Sequence, residues 1–261
     1  MQLDEQLSQA NSVIAEAFDR FQRLSLAWTG GKDSTVLLWL IRQYCQEHQI
    51  PLPDIVFINE GDPFEEVLKF VDTLSTEWGF AVTTVQNQDV LDLVTNIGNT
   101  VRVTDLSPEN QAAVAEIGFT EKTFPFEPES LVGNHLMKTV PLRQFIQESG
   151  TEALFVGVRW DEHEARSQDS FFREITEPPH TRVEPILPFI EADIWALIKQ
   201  ENIPTVSLYE QGYRSLGVKS TTTKSDQKPA WEQDLATTTE RSGRRQDKEK
   251  IMQRLRSLGY M

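Results

Sequence analysis

Residues 28–34 read Trp28-Thr29-Gly30-Gly31-Lys32-Asp33-Ser34, with the apolar run 24–27 before them and an amphipathic stretch after them. Residue types in that order can hold an anion. Gly30 and Gly31 carry no Cβ, so the chain can turn sharply and bring backbone N–H groups close to a ligand. Asp33 and Ser34 open the following helix, whose unpaired first-turn N–H groups and positive dipole end face the same point. Lys32 adds a point charge. The loop is not a Walker A motif: Leu26 stands where the first glycine would be, and Asp33 follows Lys32 in place of Ser or Thr.

A second cluster of suitable chemistry lies at 157–166. Gly157 and Arg159 end the apolar run 153–158, and Arg166 follows seven residues after Arg159. The planar guanidinium fork suits phosphate oxygens, and two such groups opposite Lys32 could neutralise a triphosphate. His163 has no second His or Cys at metal-binding spacing, and His135 and His180, the latter in a Pro-rich loop, are discounted likewise. Cys45 shares a helical stripe with Leu37 and Ile41 and reads as a small core residue. A lone cysteine cannot close an intrachain disulfide or supply an iron–sulfur or cysteine-zinc site, so neither cluster nor zinc is expected.

These residues need elements to position them. Val13, Ile14, Ala17, Phe18 and Phe21 follow helical spacing and predict an N-terminal helix within 1–22. A strand at 24–28 feeds the loop, and Val36, Leu37, Leu40, Ile41 and Tyr44 line the next helix. Pro51 and Pro53 precede a strand at 55–58 that ends at Asn59-Glu60-Gly61. Phe64, Val67, Leu68, Val71, Leu74 and Trp78 mark another helix, and 80–85 a third strand. Periodicity weakens over 95–138, read as an inserted lobe with a short helix near 108–117. Leu142, Phe145 and Ile146 then resume helical spacing before the strand at 153–158. Alternating strand and helix predicts a Rossmann-like α/β fold: a parallel sheet with helices on both faces in a single domain, 1–261. Ligands of such sheets lie beyond the C-terminal strand ends, so the loop, Asn59, Gly61 and Arg159 are expected to converge.

Composition narrows the partners. Forty acidic against 25 basic residues give a formal charge of −15, which repels a phosphate backbone and argues against nucleic acid. The longest apolar stretches, 33–41 and 185–198, fall short of the roughly 20 apolar residues of a membrane span. Residues 2–12 lack the apolar core of a signal peptide, so a soluble, cytoplasmic protein is expected. The tail 212–261 breaks the acidic trend with Arg214, Lys219, Lys224, Lys228, Arg241, Arg244 and Arg245. It reads as a basic flap over the nucleotide or acceptor, and Ile251, Leu255 and Leu258 give its far end helical spacing.

The loop resembles the Ser-Gly-Gly-x-Asp-Ser pyrophosphate loop of the ATP pyrophosphatases, with Thr29 for the first Ser. The segment from Gly157 to Arg166 is similar to the Gly-x-Arg-Arg-x-Glu-x-x-x-Arg element of the phosphoadenosine phosphosulfate reductase and ATP sulfurylase family. Three further stretches resemble that family's bacterial sulfate-activating small subunits: His135-Leu136-Met137-Lys138-Thr139; Asp193-Ile194-Trp195 with Glu201-Asn202-Ile203-Pro204 and Leu208-Tyr209; and Thr238-Thr239-Glu240-Arg241-Ser242-Gly243-Arg244. The family's Asp-Thr-Gly is here Asn59-Glu60-Gly61, its second arginine is Trp160, and Val218 stands where many relatives have cysteine. With no thiol downstream, the reductases' attack on a sulfonucleotide sulfur is disfavoured.

The resemblance implies adenylyl transfer from ATP, cleaved between the α and β phosphates, to an anionic acceptor. Trp28 to Ser34, Asn59, Gly61 and Gly157 would bind the nucleotide, with Lys32, Arg159 and Arg166 offsetting developing charge and Asp33 placing Mg²⁺. Lys138, Arg214, Arg241 and Arg244 are candidates for the acceptor or the flap. The implied acceptor is sulfate, which needs no general base, and the implied partner a larger GTPase subunit; a homo-oligomer stays open. FAD synthetases share the loop and a segment similar to 212–217, so adenylylation of FMN is the alternative. A third reading is nucleotide binding without turnover, suggested by Asn59, Glu60 and Trp160.

Overall fold

A computed structural model describes residues 3–162 and 166–243. Its strands are β1 (Leu24–Ala27), β2 (Asp54–Ile58), β3 (Val82–Val85), β4 (Thr100–Arg102), β5 (Thr123–Pro125), β6 (Ala153–Val156), β7 (Phe172–Thr176) and β8 (Pro179–Val183). Six of them form one sheet in the order β3-β2-β1-β6-β8-β7, and β4 pairs with β5 in a separate ribbon. All pairings of the large sheet are parallel except the edge hairpin β7–β8. The helices are α1 (Leu3–Arg20), α2 (Lys32–His48), α3 (Glu65–Trp78), α4 (Gln88–Leu91), α5 (Pro108–Glu116), α6 (Leu131–Asn134), α7 (Val140–Ser149) and α8 (Glu191–Glu201). The chain therefore has the α/β architecture expected from its alternating elements.

Register does the positioning. Ala27, the last residue of β1, is aligned with Val56 of β2 on one side and Val156 of β6 on the other. Because these strands run parallel, the segments that follow them open at the same edge of the sheet. The strands hold their places through burial: Leu26, Val56 and Phe155 are fully enclosed, and the one polar residue inside β1, Ser25, bonds the Thr151 hydroxyl at 2.7 Å. One core joins the sheet to α1, α2 and α8 through Ile14, Leu37, Ile41, Cys45 and Ile194. A smaller group, Val56, Phe145, Ile146 and Leu154, joins it to α7. Val101, Val114, Phe124, Leu136 and Met137 build a separate cluster over residues 90–137.

The helix marked by Phe64 to Trp78 is α3, whose buried stripe is Val67, Val71 and Leu74, while Leu68 is 41% exposed. The hairpin β7–β8 was not anticipated: its Arg, Glu and His residues mask the two-residue alternation, as edge strands commonly do. His180, expected in a loop, is a β8 residue opposite Ile175. Among the described residues no helix is long and apolar enough to cross a membrane.

Candidate functional site

The loop after β1 is held by its own side chains. Gly30 has φ +73°, and a Cβ there would lie 3.0 Å from Val67 Cγ1, so the turn suits glycine on both counts. Gly31 is extended and α2 begins at Lys32 with no side-chain cap. Ser34 Oγ accepts from the Thr29 amide at 3.2 Å and donates to the Gly31 carbonyl at 3.0 Å. Two of the amides in the cradle are already used: Gly31 N–H donates to Thr29 Oγ1 and Lys32 N–H to the Tyr209 hydroxyl, at 3.3 and 2.8 Å. Tyr209 is fully buried, and burial raises its pKa against the opposing pull of Lys32. Trp28 underlies the loop instead of lining the cavity, packed on Phe70 and Phe80 with its indole N–H on Thr35 Oγ1 at 3.0 Å.

Strand β6 brings the second cluster against this helix start. A Cβ on Gly157 would lie 2.8 Å from Ser34 Cα and 2.9 Å from Ser34 N. Both are backbone atoms that cannot swing away, so the bare glycine is what lets the end of β6 pack against the first turn of α2. Arg159, two residues on, is wholly buried. Its Nε donates to Asp161 Oδ1 at 2.8 Å, and its terminal nitrogens reach Asp33 and Glu240. Burial alone would lower its pKa, but Glu240, Glu162 and Asp161 raise it, so the guanidinium stays charged.

Lys32 completes the constellation. Only 1% exposed, its Nζ donates to Asp33 Oδ2 at 3.0 Å and to Glu240 Oε1 at 2.5 Å. Two enclosed cations thus share two carboxylates at the N-terminus of a helix, so each buried charge is compensated by an opposite one. Burial would raise the Glu240 pKa, but Lys32 and Arg159 together hold it down at about 2.

A cavity of about 300 Å³ opens at this point. Thr29, Gly31, Lys32, Asp33, Ser34, Gly157 and Arg166 line it, with Lys138, Glu240 and Arg241 from other parts of the chain. It continues between α7 and the β7–β8 hairpin along Leu142, Ile146, Leu154, Val156 and Ile175. Arg166 pairs with Glu162 at 2.7 Å, and Lys138 with Glu60 at 3.2 Å. Asn59 and Gly61 do not line the cavity. Asn59 Oδ1 accepts from the Gly61 backbone N–H at 3.0 Å and Asn59 Nδ2 donates to Gln86 Oε1, while Gly61, at φ +89°, is boxed in by Leu91, Phe126 and Met137.

Arg214, expected at the acceptor or flap, does not reach the cavity. It is 2% exposed and paired with Glu191, Nε to Oε2 at 2.9 Å and Nη2 to Oε2 at 2.6 Å. Its Nη1 donates to Asp234 O at 3.2 Å and to Thr238 Oγ1 at 2.5 Å, so it fastens the tail from beneath. Arg244, His163, and Ile251, Leu255 and Leu258 lie outside the described residues. Sequence reasoning assigned no role to Tyr209, Glu60, Glu162 or Glu240. The run containing Glu240 drew attention for its cations, and the carboxylate among them was the available signal.

A mostly parallel sheet with helices around it and a glycine-rich loop at its strand ends gives a Rossmann-like α/β fold of the adenine nucleotide alpha hydrolase-like kind, a fold the structural neighbours share. Residues 23–103 and 91–224 match the phosphoadenosine phosphosulfate reductase domain, and the chain belongs to that family. A sulfate adenylyltransferase subunit 2 of Shewanella sp. (strain W3-18-1) is 27% identical over 220 residues, 76% of this chain and 63% of the relative. That of Chelativorans sp. (strain BNC1) is 28% identical over 212 residues, 72% of this chain and 61% of the relative. The chain therefore spans less than two thirds of these relatives' length. In fold it is similar to Candida glabrata FMN adenylyltransferase in complex with FMN and the ATP analogue AMPCPP (TM-score 0.62, 20% identity, 85% of this chain and 66% of that one). Phosphoadenylyl-sulfate reductase from Candida auris aligns with TM-score 0.59 at 17% identity, over 85% and 96%.

Proposed function

We propose that this protein is an ATP-dependent adenylyltransferase whose acceptor is sulfate. The observation that carries the reading is the pair of enclosed cations, Lys32 and Arg159, meeting at the uncapped N-terminus of α2. The triphosphate would lie across the loop with its β and γ groups at these cations. A sulfate oxygen would attack the α-phosphorus, forming the new P–O bond as the bond to the β-phosphate oxygen breaks and pyrophosphate leaves with the electron pair. Charge moves toward the leaving group in that step, and in this reading Lys32, Arg159 and Arg166 would stabilise it. Lys138 and Arg241, both at the cavity wall, are the described candidates for holding the acceptor.

Among the described residues no group of three or more His, Cys, Asp or Glu side chains could hold a metal ion. A nucleotide-bound Mg²⁺ needs only one or two carboxylates beside phosphate oxygens, and the Asp33 carboxylate at the helix start fits that modest demand. Bound there, Mg²⁺ would offset phosphate charge. The subunit 2 relatives support a larger partner subunit, and a GTPase is the partner we propose.

The second reading, adenylylation of FMN, is favoured by the apolar wall of Leu142, Ile146, Leu154 and Ile175, which offers a surface that sulfate would leave unused. Purified protein with ATP and Mg²⁺, and with the GTPase subunit where one exists, tests both. Pyrophosphate release that depends on sulfate supports the first reading, and release that depends on FMN replaces it with the second. Tight ATP binding by calorimetry without release in either case leaves a nucleotide-binding protein without turnover.

A further inference from the structure

The tail carries a carboxylate into the place where a phosphate is expected. Glu240 lies 208 residues from Lys32 in sequence, yet its two oxygens are divided between Lys32 Nζ and the Arg159 guanidinium. Its side chain is 9% exposed and lines the same cavity as the loop. A carboxylate presents two acceptor oxygens to two cations, as one edge of a phosphoryl group would. Arg214, paired with Glu191, donates to Asp234 O and Thr238 Oγ1, and further on Gly243 O accepts from the Thr223 amide at 2.9 Å and from its hydroxyl at 3.2 Å.

We infer that Glu240 is an internal substitute for the nucleotide's polyphosphate, competing with it for the Lys32–Arg159 seat, so that residues 239–243 must open as the polyphosphate enters. The inference rests on the reading that the loop holds polyphosphate. It makes Glu240 a specificity residue: a ligand whose charge is too small to displace a carboxylate gains nothing from the seat. Pyrophosphate and ATP carry that charge, whereas AMP has no β or γ group to place there.

Titration calorimetry of the full chain with pyrophosphate, ATP and AMP, in wild type and Glu240→Gln, is the test. The variant should bind pyrophosphate and ATP about tenfold more tightly, with AMP unchanged, since it keeps the shape of the side chain and removes the competing charge. In wild type, amide hydrogen exchange over 239–243 should quicken when pyrophosphate is added, a readout that does not depend on the variant folding. Equal or weaker pyrophosphate binding by a folded Glu240→Gln, or exchange over 239–243 that slows, overturns the inference and leaves the loop reading standing. If neither protein binds pyrophosphate or ATP, the loop reading falls and takes the inference with it.

Discussion

At Gly157 a single missing methyl group decides whether β6 and α2 can touch. A Cβ there would sit 2.8–2.9 Å from the backbone of Ser34, and a helix start cannot retreat as a flexible side chain would. Gly157→Ala should therefore destabilise the protein by about 1–3 kcal/mol, measured by urea unfolding, and weaken ATP binding with it; an unchanged midpoint would contradict the close approach. Lys32 acts by charge more than by shape. Lys32→Ala should lower ATP affinity by roughly ten- to a hundredfold, the loss of a charge-assisted bond, while far-UV circular dichroism stays that of the native sheet and helices. Calorimetry showing the wild-type affinity would remove Lys32 from the site. Both positions were legible in the sequence, because a Gly-Gly-Lys between strand and helix and a Gly-x-Arg after a strand describe their own backbone needs.

Elements set what these residues meet. The parallel direction of β2, β1 and β6 was readable from three apolar runs separated by helical periodicity, and so was the edge on which their loops open. The hairpin β7–β8 was not, since Arg173 and Glu174 on the edge strand and His180 and Arg182 on β8 hide the alternation. Nor was the part played by Arg214, which sequence placed with the flap's cations and the fold turned inward to Glu191. Removing one partner of an enclosed ion pair strands the other. Arg214→Met should cost on the order of 3–5 kcal/mol and release 234–238, seen as faster amide exchange in that segment. Exchange there at the wild-type rate would show that something else fastens the tail.

For the whole molecule, charge and pH tie the separate clusters together. His135, enclosed among the residues of the cluster over 90–137, has its pKa pushed down to about 4 by burial, with Arg143 adding and Glu116 opposing. The unfolded chain, with its histidine near 6.5, binds more protons than the folded one between those values. Stability should thus fall as pH drops from about 6.5 toward 4, by roughly 2 kcal/mol at pH 5. Urea midpoints taken from pH 7.5 to 5 check this, and the slope should shrink in His135→Gln; an equal slope in both proteins would place the titration elsewhere. Glu240 works in a separate window. Its depressed pKa makes tail docking complete above the ordinary carboxylate range, and docking is lost only as pH falls toward about 2.

By itself the sequence determined the α/β order of elements, the glycine-rich loop between strand and helix, the arginine after the fourth strand of that order and the family resemblance. Each is written in neighbouring residues: period-two and helical spacing report on a segment's own surroundings, and a glycine reports on its own backbone. Tertiary structure alone decided that Glu240 meets Lys32 and Arg159, that Arg214 turns away to Glu191, and that Glu60, not Asn59 or Gly61, faces the cavity. Those pairings join residues far apart along the chain, and which carboxylate reaches which cation depends on the path of everything folded between them.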